Sequence, residues 1–261
     1  MTAPDDRARL ARELRQRLET EAAFGIDSLA LPPVRPAPHS SANPTPIHPE
    51  FQPDLPMAGE SPSLPSTPLT PESKQSALDA LAAELASCSR CPLGNTRTKL
   101  VFGEGSPSAR IMFVGEAPGR DEDLQGRPFV GRAGQLLDRI IKAMGLKRSD
   151  VYIANILKCR PPENRTPLPT EVVHCLPFLR RQIDIIRPQL IICLGSVAAQ
   201  NLLDTREGIT RLRGRFLNFQ STKVMCTYHP AYLLRTPSAK ADVWNDIQKA
   251  LTFLGLPIPK H

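Results

Sequence analysis

The chain has 261 residues and a formal net charge of +7. It has no apolar run of about 18 residues, which argues against a membrane span, and its charged N-terminus lacks the apolar stretch of an export signal. We therefore expect a cytoplasmic protein, in which the six cysteines indicate metal binding or catalysis rather than disulfides.

The first 72 residues differ in composition from the rest of the chain. Over residues 1–28, leucines at four-residue spacing predict a short amphipathic helix. This helix either docks a protein partner or frays in isolation. Residues 32–71 contain 13 prolines among 40 residues. We therefore predict a disordered, Pro-rich linker over residues 29–72.

The charge is also unevenly distributed. Residues 1–72 carry 6 basic and 10 acidic side chains, whereas residues 73–261 carry 27 basic and 16 acidic ones. The second segment therefore has a net charge of +11. A basic domain favours a polyanionic partner such as nucleic acid, although a scattered, solvated surface has the same composition.

From residue 73 onward, apolar strands alternate with amphipathic helices. In chain order we predict a helix over 73–87, a strand over 110–114, a helix over 133–144, a strand over 151–157, a helix over 171–186, a strand over 190–194, a helix over 196–203, a strand over 223–228 and a helix over 239–254. Strands that are apolar throughout indicate a parallel sheet covered on both faces. We therefore predict an α/β fold of three α/β/α layers around a central, mostly parallel four-stranded sheet.

Three candidate site features follow or end strands of this sheet. The turn Gly115–Gly119 directly follows the first strand, and its glycines allow close backbone approach to a ligand. Asn155 lies in the second strand, and His229 follows the last one. Because ligands bind beyond the carboxyl ends of parallel strands, we expect these features on one rim.

Each candidate residue can have either a role in binding or catalysis or a purely structural role. The Asn155 carboxamide can read the edge of a base, or it can bond to a neighbouring loop. Phe129, among small residues, is either a stacking platform or a core side chain. His229 can donate to an anion that forms on a substrate, or it can cap the core.

Four cysteines have a spacing typical of metal ligands, C-x2-C followed by a long gap and C-x15-C. Both zinc and an iron–sulfur cluster accept four thiolates, so the spacing alone does not decide between them. The other two cysteines lie inside apolar strands and are expected in the core. The four candidate ligands are Cys88, Cys91, Cys159 and Cys175.

Several segments together resemble the family 4 uracil-DNA glycosylases, the iron–sulfur members of the uracil-DNA glycosylase superfamily. Besides the four cysteines, the matching segments are GEAPGRDED (115–123), GRPFVGRAGQLLD (126–138), NILKCRPPENRTP (155–167) and HPAYLLR (229–235). The resemblance covers residues 88–254, and it implies a uracil-DNA glycosylase-like domain over 73–261. It does not extend to residues 1–72.

The resemblance implies an enzyme that flips uracil out of DNA, hydrolyses the N-glycosidic bond and leaves an abasic site. It implies a structural [4Fe-4S] cluster on the four cysteines. It also implies a uracil pocket in which Phe129 stacks on the base, Asn155 reads its edge and His229 contacts O2. Glu122 would lie near C5, where a thymine methyl would clash. The turn residues of this pocket would be Gly115, Glu116 and Ala117.

The catalytic residues implied by the resemblance are Glu116 and His229. The aspartate that serves family 1 enzymes as a base is absent from the turn. The loop RPPENRTPLP lacks the nucleophilic histidine of the related cross-linking enzymes, so we expect no covalent capture of DNA. Two alternatives remain, a non-catalytic DNA-binding protein and a zinc-stapled module for RNA or protein. We expect a monomer of bacterial type that acts on uracil-containing DNA at the nucleoid.

Overall fold

The computed structural model of the chain describes residues 70–259. The predicted helix over 1–28 and most of the predicted linker over 29–72 lie outside the described residues. Within the described part of the chain, no helix is both long and apolar enough to cross a membrane.

The described residues form alternating strands and helices. In chain order these are α1 (Pro71–Ala86), α2 (Leu93–Thr96), β1 (Glu104–Gly105), β2 (Ile111–Gly115), α3 (Arg120–Gln125), α4 (Arg132–Ala143), β3 (Tyr152–Asn155), α5 (Pro169–Ile186), β4 (Leu190–Leu194), α6 (Ser196–Leu203), α7 (Ile209–Leu212), β5 (Phe216–Phe219), β6 (Thr222–Thr227), α8 (Pro230–Arg235) and α9 (Lys240–Phe253). Single 3-10 turns occur at Arg148–Asp150, Pro162–Asn164 and Pro237–Ala239.

The strands form one sheet in the order β1-β3-β2-β4-β6-β5. Its four central strands are parallel, which confirms the predicted α/β class. The predicted strand number needs correction, because β1 and β5 add antiparallel edges and make the sheet six-stranded and mixed. β1 has only two residues, and three of the four residues of β5 are not buried, so neither has the continuous apolar run that identifies the central strands.

Helices cover both faces of the sheet because successive side chains of each strand point to opposite faces. Met112 and Val114 of β2 pack in a core cluster with residues of α5 and α6. Ile111 and Phe113 of the same strand pack in a second cluster with residues of α4 and α9. The three-layer arrangement therefore follows from strands that are apolar on both faces.

Helix α1 packs against α5 and leads the chain to the first cysteine pair. It begins at Pro71, and the Thr70 side chain accepts a hydrogen bond from the Ser73 N–H at 3.3 Å. Proline suits the first helical position because its missing N–H would have no partner there. Leu81 and Leu85 bury their side chains against Phe178 of α5. The helix thus joins the N-terminal side of the domain to the layer that carries Cys175.

Candidate active site

A cavity of about 960 Å³ opens at the carboxyl ends of the parallel strands. Its wall is formed by the turn after β2, the end of β3, the loop before α4 and the segment after β6. Gly115, the last residue of β2, does not line the cavity but lies beside two residues that do, Asn155 and Phe129. The lining includes six of the predicted pocket residues, Glu116, Ala117, Glu122, Phe129, Asn155 and His229.

Gly115 leaves the space in which two other site residues meet. The register pairs it with Asn155 across β2 and β3. A Cβ atom at this position would lie 2.4 Å from Asn155 Oδ1 and 2.4 Å from Cζ of Phe129. Both distances are shorter than any ordinary van der Waals contact, so a side chain here would displace the amide or the ring.

The turn after β2 is bonded to the segment that follows β3. The Ile156 N–H donates to the Gly115 carbonyl at 2.9 Å, and the Leu157 N–H donates to the Glu116 carbonyl at 3.1 Å. These bonds fix the backbone from which the Glu116 side chain projects. Burial raises the pKa of the Glu116 carboxyl above its ordinary value.

Asn155 is buried, with 2% of its surface exposed. Among the described residues, its Oδ1 is the only buried side-chain nitrogen or oxygen without a hydrogen-bond partner. Buried polar atoms are almost always satisfied, because leaving one unpaired costs about 1–3 kcal/mol. An unpaired acceptor beside a cavity therefore indicates a ligand that supplies a donor.

Phe129 has a backbone conformation that few bulky side chains adopt, with φ of 51°. Glu122 holds the loop in place. Its Oε1 accepts the N–H groups of Val130 at 2.8 Å and Gly131 at 2.9 Å. Its Oε2 accepts the Gly119 N–H at 3.1 Å. One carboxylate thus ties the turn after β2 to the loop that carries the Phe129 ring.

Two further contacts support the Phe129 loop from outside the cavity. Arg148 donates a hydrogen bond to the Pro128 carbonyl and also pairs with Glu104. The Phe129 backbone packs directly on α4, where a Cβ at Gly134 would lie 2.0 Å from the Phe129 carbonyl. The loop is therefore held from both sides, and the ring position is fixed before any ligand binds.

His229 has a defined protonation state. Its Nδ1 accepts the Ala231 N–H at 3.1 Å, so the proton of the neutral ring resides on Nε2. Burial lowers the pKa of His229 to about 4. The imidazole is therefore neutral at physiological pH, and it lies 5.6 Å from the Phe129 ring, centroid to centroid. It is a hydrogen-bond donor and not a cation.

Exposed arginines surround the mouth of the cavity. Arg120, Arg132 and Arg235 line it and are exposed, and none of them forms an ion pair with another described residue. Arg165 also lines the cavity, but its guanidinium forms a two-point bond with the buried Glu171 at 2.9 and 2.6 Å. Three arginines thus remain available to an anionic ligand, while the fourth fixes the loop before α5.

The four predicted metal ligands line a second, smaller cavity. Cys88 and Cys91 approach it from the segment after α1, and Cys159 and Cys175 approach it from the end of β3 and from α5. The volume between its walls is about 20 Å³, compared with about 960 Å³ for the larger cavity. No group of three or more His, Cys, Asp or Glu among residues 70–259 is arranged to hold a single metal ion.

Two N–H donors point at the cysteine sulfurs. The Arg97 guanidinium donates to Cys159 Sγ at 3.3 Å, and the Lys158 backbone N–H donates to Cys175 Sγ at 3.2 Å. Burial raises the pKa of the Cys175 thiol to about 11, so metal binding would have to displace the proton. Both a zinc ion and an iron–sulfur cluster bind through four thiolates, and N–H donors at sulfur suit either group.

Comparison with known proteins agrees with the geometry. The family model of the uracil DNA glycosylase superfamily matches residues 102–248. The chain belongs to this superfamily. The Type-4 uracil-DNA glycosylase of Archaeoglobus fulgidus is 48% identical in an alignment that covers 64% of this chain and 87% of that protein.

Two further uracil-DNA glycosylases are similar to this chain to about the same degree. The Type-4 enzyme of Thermotoga maritima is 48% identical, over 64% of this chain and 89% of that protein. The Type-4 enzyme of Sulfurisphaera tokodaii is 45% identical, over 64% and 80% respectively. These relatives confirm the resemblance to the family 4 uracil-DNA glycosylases.

The uracil-DNA glycosylase pocket also contains residues that sequence patterns did not reveal. Ser196 follows β4 and Tyr228 follows β6, and both line the cavity. Their positions in the sequence indicate this, because each lies within two residues of the end of a strand of the parallel sheet. Thr210 of the short helix α7 lines it too, and nothing in its local sequence indicates this position.

Proposed function

We propose that this protein removes uracil from DNA. It takes the base out of the helix, hydrolyses the N-glycosidic bond between uracil and deoxyribose, and leaves free uracil and an abasic site. A base stacked in a duplex is not accessible to the cavity, so the nucleotide must rotate outward first.

The unpaired Oδ1 of Asn155 is the observation that carries this proposal. The N3–H of uracil is a donor that would satisfy it, while the Asn155 amide N–H would donate to O4. Cytosine has no hydrogen on N3 and carries an amino group at C4, so both bonds would be lost. A site built to pair with one pattern of donors and acceptors rejects the other strongly, because its buried groups stay unsatisfied.

The other residues of the pocket also suit a flat ring of the size of uracil. The rigidly held Phe129 ring would stack on the base, and the backbone at Gly115 and Ala117 would face its edge. Three N–H groups hold the Glu122 carboxylate in the cavity wall. There it would stand beside C5 and clash with the methyl group of thymine.

Bond cleavage would leave negative charge on uracil and positive charge on the sugar. The neutral His229 would donate its Nε2–H to O2 as the negative charge develops. One preorganised donor of this kind is worth about 2.7–4 kcal/mol of transition-state stabilisation. Glu116, whose carboxylate lies in the wall, would orient the attacking water or stabilise the cationic sugar.

The arginines at the cavity mouth would hold the DNA backbone. Arg120, Arg132 and Arg235 would contact phosphates, so affinity should fall steeply as salt increases. The expectations of a cytoplasmic monomer and of a protein partner for residues 1–28 stay predictions.

We propose further that Cys88, Cys91, Cys159 and Cys175 hold a [4Fe-4S] cluster. Its contribution is structural, since it cross-links the segment after α1 to the end of β3 and to α5. The shared cavity and the two N–H donors on sulfur support this assignment.

Base release from a uracil-containing oligonucleotide tests the proposal. The protein is purified without air, its iron content and visible absorbance are recorded, and abasic sites are detected by alkaline strand cleavage. We expect cleavage at uracil only, with a brown protein that contains about four iron atoms per chain.

Other outcomes would replace the proposal. A brown protein that binds the oligonucleotide and yields no abasic site would be a non-catalytic reader of DNA. A colourless, zinc-containing and inactive protein would remove both the glycosylase and the cluster assignments.

A further inference from the structure

Lys158 is a fully buried lysine, with 0% of its surface exposed, that lines the smaller cavity and bonds to Asn155 of the larger one. We propose that it is a positioning residue that holds the base-reading Asn155 in place and couples the cysteine site to the uracil pocket. The inference rests on the proposed function, because it assigns Lys158 a task in that same site.

The contacts of Lys158 connect three parts of the domain. Its Nζ donates to the Asn155 carbonyl at 2.9 Å and to Gln182 Oε1 at 2.6 Å. Its own carbonyl accepts the Val101 N–H at 2.9 Å, and its backbone N–H donates to Cys175 Sγ. Lys158 therefore contacts β3, the segment before β1 and α5, and on α5 it contacts both Gln182 and the proposed ligand Cys175.

Gln182 extends this connection through buried polar groups. It is fully buried on α5, and its Nε2 donates to the Phe102 carbonyl at 3.0 Å and to the Tyr152 hydroxyl at 3.2 Å. The amide therefore has fixed partners on both sides. The Lys158 ammonium is consequently held at one point, directly under the end of β3.

Asn155 depends on this support more than an ordinary asparagine would. Its Oδ1 has no partner in the protein, so no side-chain bond at that atom fixes the orientation of the amide. The placement of the amide must come from the backbone of Asn155 and from packing. The Lys158 ammonium donates to the Asn155 carbonyl and so helps to fix the backbone that carries the amide.

The buried charge of Lys158 needs a compensating negative charge, which the cysteine site can supply. Its two Nζ partners are neutral oxygens, and it forms no ion pair with a carboxylate among the described residues. A buried charge is costly unless an opposite charge compensates it. Lys158 directly precedes Cys159, and its backbone N–H donates to Cys175 Sγ at 3.2 Å, so metal-bound thiolates would supply the compensating charge.

The test compares two variants of the holoenzyme. Lys158→Met removes the ammonium and keeps an unbranched side chain. Gln182→Leu disrupts the same buried network without touching Asn155. The readout is the preference, as a ratio of Kd values, for an oligonucleotide with 2′-fluorinated deoxyuridine, which resists hydrolysis, over the matched thymidine oligonucleotide.

We expect Lys158→Met to lose about tenfold of this preference, the size of one hydrogen bond to the base. Its affinity for the thymidine oligonucleotide should stay unchanged, and Gln182→Leu, which leaves the bond from Lys158 to the Asn155 carbonyl available, should lose less of the preference. In an Asn155→Ala background, Lys158→Met should have no further effect, because it acts through Asn155.

Iron retention is the second readout. During incubation with a chelator, Lys158→Met should lose iron and visible absorbance several-fold faster than Gln182→Leu, since the thiolates lose their compensating cation. Lys158→Gln, which also removes the charge, serves as a second variant and should behave like Lys158→Met.

Defined results would overturn the positioning role. These are an unchanged preference in Lys158→Met, an equal loss in Gln182→Leu, or independent effects of the Lys158 and Asn155 changes. Failure of both Lys158 variants to fold while Gln182→Leu folds would assign Lys158 to stability alone. A wild-type protein without any preference or base release would instead contradict the proposed function.

Discussion

Asn155 and His229 are prepared for a ligand in opposite ways. Asn155 presents an acceptor without a partner, whereas His229 has one nitrogen occupied by a backbone N–H and the other free to donate. Together they offer an acceptor and a donor at fixed positions around the same ring-sized space. Neither group needs to change its protonation state to bind uracil.

Removing either side chain should reduce catalysis more than DNA binding. We expect His229→Ala and Asn155→Ala to lower kcat by about 10²–10³-fold, because each removes a preorganised bond to the base. The Kd for DNA that lacks uracil should change by less than about threefold, since phosphates supply most of the affinity. Single-turnover kinetics and a binding assay separate the two effects.

The matched control is Asn245→Ala, the same substitution at an exposed position of α9. It should leave both quantities unchanged. A His229 or Asn155 variant that cleaves normally once bound, but binds DNA poorly, would show that these residues hold DNA and do not act on the base.

The loss of activity at acidic pH should follow the protonation of the Glu116 carboxylate. Because burial raises the pKa of this carboxyl, activity that needs the carboxylate should disappear as pH falls through a value above the ordinary 4.5. His229 stays neutral down to a pKa of about 4. A limb near the ordinary histidine pKa of about 6.5 is therefore not expected from it.

The pH profile of kcat for Glu116→Gln checks this assignment. The variant should have a lower kcat throughout, and its acid limb should vanish. An acid limb that persists unchanged in Glu116→Gln would assign the titration to another group.

Strand register is what brings the pocket residues together. β2 and β3 are parallel neighbours, so Gly115 and Asn155 end their strands side by side. The Phe129 ring enters the space above Gly115 from the loop before α4. The pocket therefore forms because Gly115, which has no side chain, ends its strand beside the Asn155 amide.

Adding one methyl group at Gly115 should close this space. In Gly115→Ala the new Cβ would collide with the Asn155 amide and the Phe129 ring, both 2.4 Å away. We expect kcat/KM to fall by at least about 100-fold, because a shift of roughly 1 Å in a site costs that much.

Gly208→Ala is the matched control for this substitution. Nothing lies within 4 Å of a Cβ built there, and its φ of −72° suits any residue. It should keep full activity and stability. Near-normal base release by Gly115→Ala would mean that uracil does not use the space between Asn155 and Phe129.

The long elements and the rim of the site were predictable from sequence because their signals are local. Continuous apolar runs marked the central strands, and apolar periodicity marked the helices. The edge strands lacked such runs, and helices of four to six residues such as α2, α3, α7 and α8 are too short to show periodicity.

The supporting contacts were not predictable in the same way. Glu122 binds N–H groups eight and nine residues away across a turn, and Lys158 is a charged residue in the core. Both positions depend on tertiary contacts that no local pattern encodes.

Across the domain, the two cavities share one structural support. The end of β3 contributes Asn155 to the larger cavity, and the residues directly after it contribute Cys159 to the smaller one. The proposed cluster would therefore stabilise the same backbone that carries the pocket. A cross-link between segments far apart in sequence also restricts the unfolded chain.

Loss of one cysteine ligand should lower both iron content and stability. Cys91→Ala should bind little iron and lose about 2–4 kcal/mol of unfolding free energy, the size of a comparable cross-link. Cys226→Ala, at a buried position inside β6, is the matched control and should keep its iron. Iron analysis and thermal unfolding measure both. Full iron content in Cys91→Ala would exclude Cys91 as a ligand.

The two remaining cysteines have a consequence for the order in which the protein matures. Cys193 and Cys226 face each other on neighbouring central strands and are wholly inaccessible. Once the sheet has formed, iron and sulfide can meet only the four thiols at the smaller cavity. On an unfolded chain all six compete. Folding before insertion of the proposed cluster would therefore keep the two buried cysteines from binding iron, and refolding in the presence of iron would allow them to compete with the four ligands.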